Sequence, residues 1–246
     1  MGDIMKLYDY VTRKKYNNDV LFRIIGIKGN LCLLEGVEYR LIADAYIEDL
    51  NKTSYSERKE NIDFCEMRGP QYKKGKVLHL DGDEEYLSRC LDYYRANKIE
   101  AVGIYLEEKE MKNQITNLLI IHKPDILVIT GHDSINEKGE YLNSDNFSSC
   151  IKNARICMPD KDSLVIFAGA CQSEYNKLIE SGANFASSID KANIHVLDPV
   201  LIAIQVASTP VTEYVDVDKV LKRTVSKGKG LGGIDTRGVA RRKYGG

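Results

Sequence analysis

The rhythm of hydrophobic and polar positions changes twice along the chain. In residues 1–50 the apolar residues come in short β-type runs, as in "VLFRIIGIKGNLCLLEGVEYRLIADAYI", broken at Gly26, Gly29-Asn30 and Gly36. Strand-length runs divided by turn residues predict hairpins of a small β-barrel over residues 1–50, with no long helix. Residues 51–75, "NKTSYSERKENIDFCEMRGPQYKKG", are polar, charged and interrupted by Gly69-Pro70, which reads as a linker. From residue 76 to 246 the pattern becomes βαβ. "KVLHL", "AVGIYL", "DILVIT", "LVIFA", "NFASS" and "NIHVL" read as strands. Between them lie stretches of helical period, carrying Leu87, Leu91 and Tyr94, then Met111, Ile115 and Leu118, then Phe147, Ile151 and Ala154. A helix from Pro199 to Ala207 follows. Such alternation implies an α/β domain, its mostly parallel sheet covered by helices on both faces.

Composition narrows the class without changing this picture. At 246 residues, 43% hydrophobic and 29% charged, the chain has enough apolar surface for a large domain and a small one. A formal net charge of −1 supplies no field that would recruit nucleic acid or an anionic membrane. Residues 1–50 hold seven Lys and Arg against eight Asp and Glu, so the barrel has no nucleic-acid signature either. Six cysteines without a Cys-x-x-Cys pair fit reduced thiols and give no metal motif. The opening "MGDIMKLYDY" lacks the pattern of a signal peptide, and no apolar run reaches membrane-spanning length, so a cytoplasmic protein is expected. The oligomeric state leaves no trace in the pattern.

Chemistry is expected where parallel strands end, because ligands of open α/β sheets bind beyond the carboxyl ends. Two strands end in reactive groups: "DILVIT" runs into Gly131-His132-Asp133, and "LVIFA" into Gly169-Ala170-Cys171. His132 and Cys171 are 39 residues apart, the length of one βαβ crossover, so adjacent strands would bring them to one rim. A thiol attacks as the thiolate and needs a neighbouring base, which makes the pair a candidate Cys-His dyad. Gly131 and Gly169 allow sharp turns, and backbone N–H groups at Asp133 and Cys171 are candidate oxyanion donors. Ser173 is expected to cap the following helix. The other five cysteines are read as packing, since free cysteine is among the most buried residue types. His79 falls inside a strand, His122 ends a helix on the opposite rim, and His195 is the reserve base.

The strand–Gly-His and strand–Ala-Cys blocks resemble the caspase-hemoglobinase cysteine peptidases. The opening residues resemble small SH3-like or Tudor-like barrels. More closely, "VITGHD", "FAGACQS", "GANFASS", "IHVLDP" and "GLGGIDTRG", with "GDI…RKKYNNDVLFRI" at the start, are similar to the YabG family of sporulation peptidases, over nearly the whole chain. The resemblance implies a caspase-like cysteine endopeptidase that trims spore coat and cortex-associated proteins after Arg, needs no cofactor or metal, and acts in the sporulating cell or at its coat. One departure is that Asp133 follows the histidine where the wider group has glycine. An Arg pocket needs a carboxylate, and Asp81 is the first candidate, ahead of Asp83, Asp190 and Asp198, with Asp83 also suited to capping a helix. Arg58 and Arg68 in the linker are candidate self-cleavage sites.

Two rival classes make different demands. A nucleotide-binding domain would need a Gly-rich strand-to-helix turn, but "LDGDEEYL" has neither G-x-G-x-x-G nor a P-loop, and "KGKGLGGIDTRG" does not sit between a strand and a helix. A non-catalytic interaction protein would use the barrel as its binding module. Residues 222–246 hold eight Lys and Arg against the single Asp235 and read as a basic Gly-rich tail, solvated or docking to acidic partners.

Overall fold

The computed structural model describes residues 4–56, 72–136 and 138–244, and divides into two units, Met1–Phe64 and Cys65–Gly246. The candidate self-cleavage residues Arg58 and Arg68 lie outside the described residues.

In the first unit five strands, β1 (Tyr10–Arg13), β2 (Leu21–Lys28), β3 (Leu31–Gly36), β4 (Ile42–Tyr46) and β5 (Leu50–Thr53), form an antiparallel sheet in the order β4-β3-β2-β1-β5. Alternation along β2 and β3 buries Phe22, Ile24, Cys32 and Leu34 on one face. A two-residue turn with Gly29 at φ +61 joins these strands, and a register shift between Ile24 and Gly26 bends β2. On the other face Arg23 is registered with Glu35 and pairs with it at 2.7 Å.

The second unit opens with β6 (Tyr72–Lys73) and then alternates. β7 (Val77–Asp81), α1 (Glu84–Ala96), β8 (Ala101–Tyr105), α2 (Glu108–His122), β9 (Ile126–Thr130), α3 (Ser144–Cys157), β10 (Val165–Ala168), α4 (Tyr175–Glu180) and β11 (Phe185–Ser187) follow one another. After them come α5 (Asp198–Ser208), α6 (Val217–Lys222), β12 (Leu231–Gly233) and β13 (Arg241–Arg242). The main sheet runs β12-β11-β10-β9-β7-β8, parallel except for β12. Every residue of β7, β9 and β10 is buried, as expected of strands covered on both faces. Leu78, Leu80, Leu127, Ile129 and Ile166 pack with Met111, Ile115, Phe147 and Ile151 of α2 and α3. The alternate side of β7 carries His79, whose Nδ1 lies 3.3 Å from Tyr94 Oη of α1.

Two sequence expectations are corrected here. "NIHVL" is not a strand: His195 N donates to Asp198 Oδ2 at 2.9 Å and Leu197 N to His195 Nδ1 at 3.2 Å, so the segment curls into a turn before α5. Three buried apolar residues, Ile194, Val196 and Leu197, fit such a turn as well as a strand. The Gly-rich C-terminal segment is also not a solvated tail, because Leu231–Gly233 adds the antiparallel edge strand to β11. Its glycines allow close packing, since a Cβ on Gly233 would come within 2.5 Å of the Phe185 ring.

Candidate active site

β9 and β10 are adjacent and parallel, with Ile129 registered on Ala168. His132 and Cys171 each lie three residues beyond that pair, on the same rim. The turn out of β9 is held by the carboxylate of Glu108 at the start of α2. Glu108 Oε1 accepts the His132 N–H at 2.8 Å, and a Cβ on Gly131 would come within 2.5 Å of that oxygen, which is why glycine stands before the histidine. On its other side the His132 carbonyl accepts from Asn143 Nδ2 at 2.8 Å. The imidazole is half-buried, with Nε2 at 3.0 Å from Asp83 Oδ2 and the Tyr86 ring 5.8 Å away, centroid to centroid. Its Nδ1 is buried and has no hydrogen-bond partner among the described residues.

The turn out of β10 is tighter. Gly169 takes φ +118, where a Cβ would also come within 2.5 Å of Ser187 Oγ, and Gln172, directly after the cysteine, takes φ +61. Cys171 is fully buried. Ile194 N donates to its Sγ at 3.4 Å, and Sγ lies 3.6 Å from Ile194 O.

Asp133 ties the two turns together. Its Oδ2 accepts from Ser173 Oγ at 2.9 Å and from Ser144 Oγ at 2.5 Å, and its Oδ1 accepts from Ser134 N at 3.0 Å and Asn143 N at 2.8 Å. Desolvation raises the Asp133 carboxyl above its ordinary value despite these donors. Ser173 does not cap the next helix: it accepts from Ala170 N at 3.0 Å and donates to Asp133, while Glu174 N at the head of α4 donates to Ser144 Oγ. A second link across the turns runs from Ile135 N to Gln172 Oε1 at 3.4 Å.

The acidic candidates are distributed unevenly. Asp81 ends β7 fully buried in register with Thr130; its Oδ2 accepts from Thr130 Oγ1 at 3.0 Å and its Oδ1 from Asp83 N at 3.1 Å. Asp83 caps α1 by accepting from Tyr86 N at 2.8 Å. Burial alone would raise its carboxyl, but the bonds from His132 and Tyr86 outweigh that and hold it below the usual aspartate range. Asp190 is exposed at φ +53 in the turn after β11. Asp198 is fully buried, accepts from His195 N and Ser226 N, and is pushed up to about 6, chiefly by desolvation.

Among the histidines, His79 is buried in β7, His122 closes α2 at the other end of the sheet, and His195 is buried next to Ile194. His79, Asp81 and Cys90 offer ligand atoms within 4.8 Å of one another, all buried. Hydrogen bonds already engage all three: His79 Nε2 and Asp81 Oδ2 meet Thr130 Oγ1, and Cys90 Sγ donates to Val196 O at 3.8 Å.

Glu108, Asn143 and Ser144 were not candidates from sequence. Glu108 had a signal, since it opens the helix that follows a parallel strand and so sits at the carboxyl rim. Asn143 and Ser144 had none, because their roles exist only once the long loop after β9 folds back on Asp133.

Comparison with known proteins agrees on the family. The model of the family described as YabG peptidase U57 matches residues 6–71 and 66–245. The sporulation-specific protease YabG of Bacillus subtilis (strain 168) is 43% identical over 276 aligned residues, which cover 95% of this chain and 95% of that protein. No solved structure matches. With family matches that together span nearly its whole length, the chain belongs to the YabG peptidase U57 family.

Proposed function

We propose that this chain is a cysteine endopeptidase of sporulation that cleaves spore coat and cortex-associated proteins after Arg, with Cys171 as nucleophile and His132 as its base and acid. The observation that carries the reading is the equal distance of His132 and Cys171 past the Ile129–Ala168 register, with their turns joined through Asp133 and Ser173. In this reading the second unit is a caspase-hemoglobinase-like domain, preceded by an SH3-like or Tudor-like barrel.

The chemistry follows acyl transfer. His132 takes the Cys171 proton as sulfur attacks the scissile carbonyl, backbone N–H groups of Asp133 and Cys171, in the turns that Gly131 and Gly169 allow, receive the oxyanion, and His132 returns the proton to the leaving amine. Water then attacks the thioester, giving its proton to His132, and the acid product leaves with the thiol restored. Asp81 is our first choice for pairing with the substrate guanidinium, because its carboxylate sits two residues from Asp83 at the same strand end; Asp83, Asp190 and Asp198 are the other candidates. Arg58 and Arg68 are the bonds at which the enzyme would process itself.

The test uses the full-length protein with matched Arg, Lys and Gln peptides. Wild type is expected to cleave the Arg peptide best. Cys171→Ala and His132→Ala are each expected to lose at least about 10³-fold in kcat, and Asp81→Asn to remove the Arg preference. On standing, wild type is expected to be cut at Arg58 or Arg68 while Cys171→Ala stays whole. Full activity in Cys171→Ala would overturn the reading; full activity in His132→Ala would move the base to His195.

A further inference from the structure

We propose that Asp83 is a positioning residue for His132, fixing the ring so that Nδ1 is the nitrogen that exchanges a proton with Cys171; this rests on the Cys171–His132 reading above. The two oxygens of Asp83 have separate tasks. Oδ1 accepts the Tyr86 N–H at 2.8 Å and caps α1, while Oδ2 lies 3.0 Å from His132 Nε2. Because Oδ1 is tied to a helix end, the carboxylate cannot swing away from the imidazole without uncapping α1. Asp83 N is itself held by Asp81 Oδ1 at 3.1 Å, which fixes the loop that carries it.

The other bonds at His132 leave little freedom. Its backbone is clamped on both sides, by Glu108 Oε1 on the N–H and by Asn143 Nδ2 on the carbonyl. The Tyr86 ring, from the helix that Asp83 caps, packs against the imidazole. A carboxylate accepting at Nε2 places the ring proton there and leaves the Nδ1 lone pair free. Nδ1 is the one ring atom that is buried without a partner, on a loop whose neighbour carries the thiol. When Nδ1 takes the thiol proton the imidazolium stands against the Asp83 carboxylate, so charge is stabilised as it forms. In this role Asp83 acts through His132, the group its Oδ2 meets, and not on the reacting sulfur.

Capping and positioning are separable by substitution, because Ser and Asn both serve as N-caps but neither carries a charge. Full-length Asp83→Ser and Asp83→Asn are compared with wild type, Cys171→Ala and His132→Ala for kcat, KM and melting temperature. The substrates are the Arg peptide and, as a protein substrate, unfolded casein. Expected is a loss of about 10²-fold in kcat for both Asp83 variants, with KM and melting temperature unchanged and with Asp83→Glu recovering part of the rate. Wild-type kcat in both Asp83 variants, beside inactive Cys171→Ala and His132→Ala, would overturn this proposal and leave the dyad standing. A kcat loss that tracks a fall in melting temperature would reduce Asp83 to a helix cap and overturn it as well. Activity in Cys171→Ala would instead remove the dyad, and with it the role of Asp83.

Discussion

The two ends of the parallel sheet carry similar residue types and treat them differently. At the carboxyl end Asp81, Asp133 and Asp198 are almost fully buried, and each accepts from two or more donors. At the amino end Lys74, Lys76, Glu100, His122, Lys123 and Asp125 line an open groove of about 500 Å³. There the Lys76–Glu100 pair is 3.2 Å long and wet, with Glu100 more than half exposed. His132 and His122 show the contrast within one residue type. The first is held on three sides by Glu108, Asn143 and Asp83, whereas the second closes α2 at the solvated rim. A polar group in water is already solvated and costs little to keep; one buried with fixed partners has its orientation set before a substrate arrives. Reactivity belongs with the second kind, and changes at the carboxyl rim should cost far more than equal changes at the amino rim.

The sharpest way to break the contrast is to remove Asp133. Its carboxylate collects two serine hydroxyls and two backbone N–H groups, so Asp133→Ala strands four donors at a buried position. The expected cost is roughly 3–5 kcal/mol in urea unfolding, with loss of peptidase activity because the His132 and Cys171 turns part. Asp133→Asn keeps the shape and part of the acceptor capacity and is expected to cost about half as much. A loss below about 1 kcal/mol in Asp133→Ala would mean that the two turns are held by strand pairing alone.

The role of Asp133 also shows where sequence reading stops. Hydrophobic rhythm sufficed for α1, α2 and α3 and for the buried strands, because each is long or strongly apolar and its period is a local property. Strand ends then pointed to the rim with His132 and Cys171. Asp133 was read as a backbone oxyanion donor, whereas its side chain is the staple between the turns, a role that depends on Ser144 and Ser173, 11 and 40 residues away. The second oxygen of Asp83 reaches His132 across 49 residues, and Glu108 reaches it across 24. Such convergence is decided by loop paths, which no local period encodes. The edge strand Leu231–Gly233 was missed for a different reason, since three residues with two glycines have almost no strand propensity and pair because the packed sheet offers them β11.

The second contrast concerns charge, and Asp198 sharpens it. Its folded pKa is about 6 against an ordinary value of 3.8, with desolvation the main cause. A carboxyl whose pKa is raised by folding binds more protons in the native state than in the unfolded chain throughout that interval. Stability must therefore fall as pH rises from about 4 to about 6, and level off above it. Expressed as wild type minus Asp198→Asn, the unfolding free energy is expected to drop by on the order of 2–3 kcal/mol across this window. The opposite sign holds for Asp83, whose carboxyl is lowered by folding: its contribution is full above the ordinary aspartate range and is lost as acid carries the pH down through its lowered value. A difference curve for Asp198→Asn that is flat between pH 4 and 7 would show that this carboxylate is as well solvated as those of the amino rim.

The smallest effect is expected where the charges are most visible. Lys76 and Glu100 form a pair at the amino end, 3.2 Å apart and only partly shielded, near the solvated Lys123 and His122. Water screens such a pair and competes for both partners, while two long side chains lose rotamer freedom in holding one geometry. The structural work of this corner is done by the backbone, because Lys76 N donates to Asp125 Oδ2 at 2.8 Å whatever its side chain is. Lys76→Met keeps the apolar stem and that N–H and removes only the charge. The expected coupling energy of Lys76→Met and Glu100→Gln in a double-mutant cycle is about 0–1 kcal/mol, falling further in 1 M salt, with peptidase activity unchanged. A salt-independent coupling above about 2 kcal/mol would place this pair among the preorganised groups, and the two ends of the sheet would no longer differ in kind.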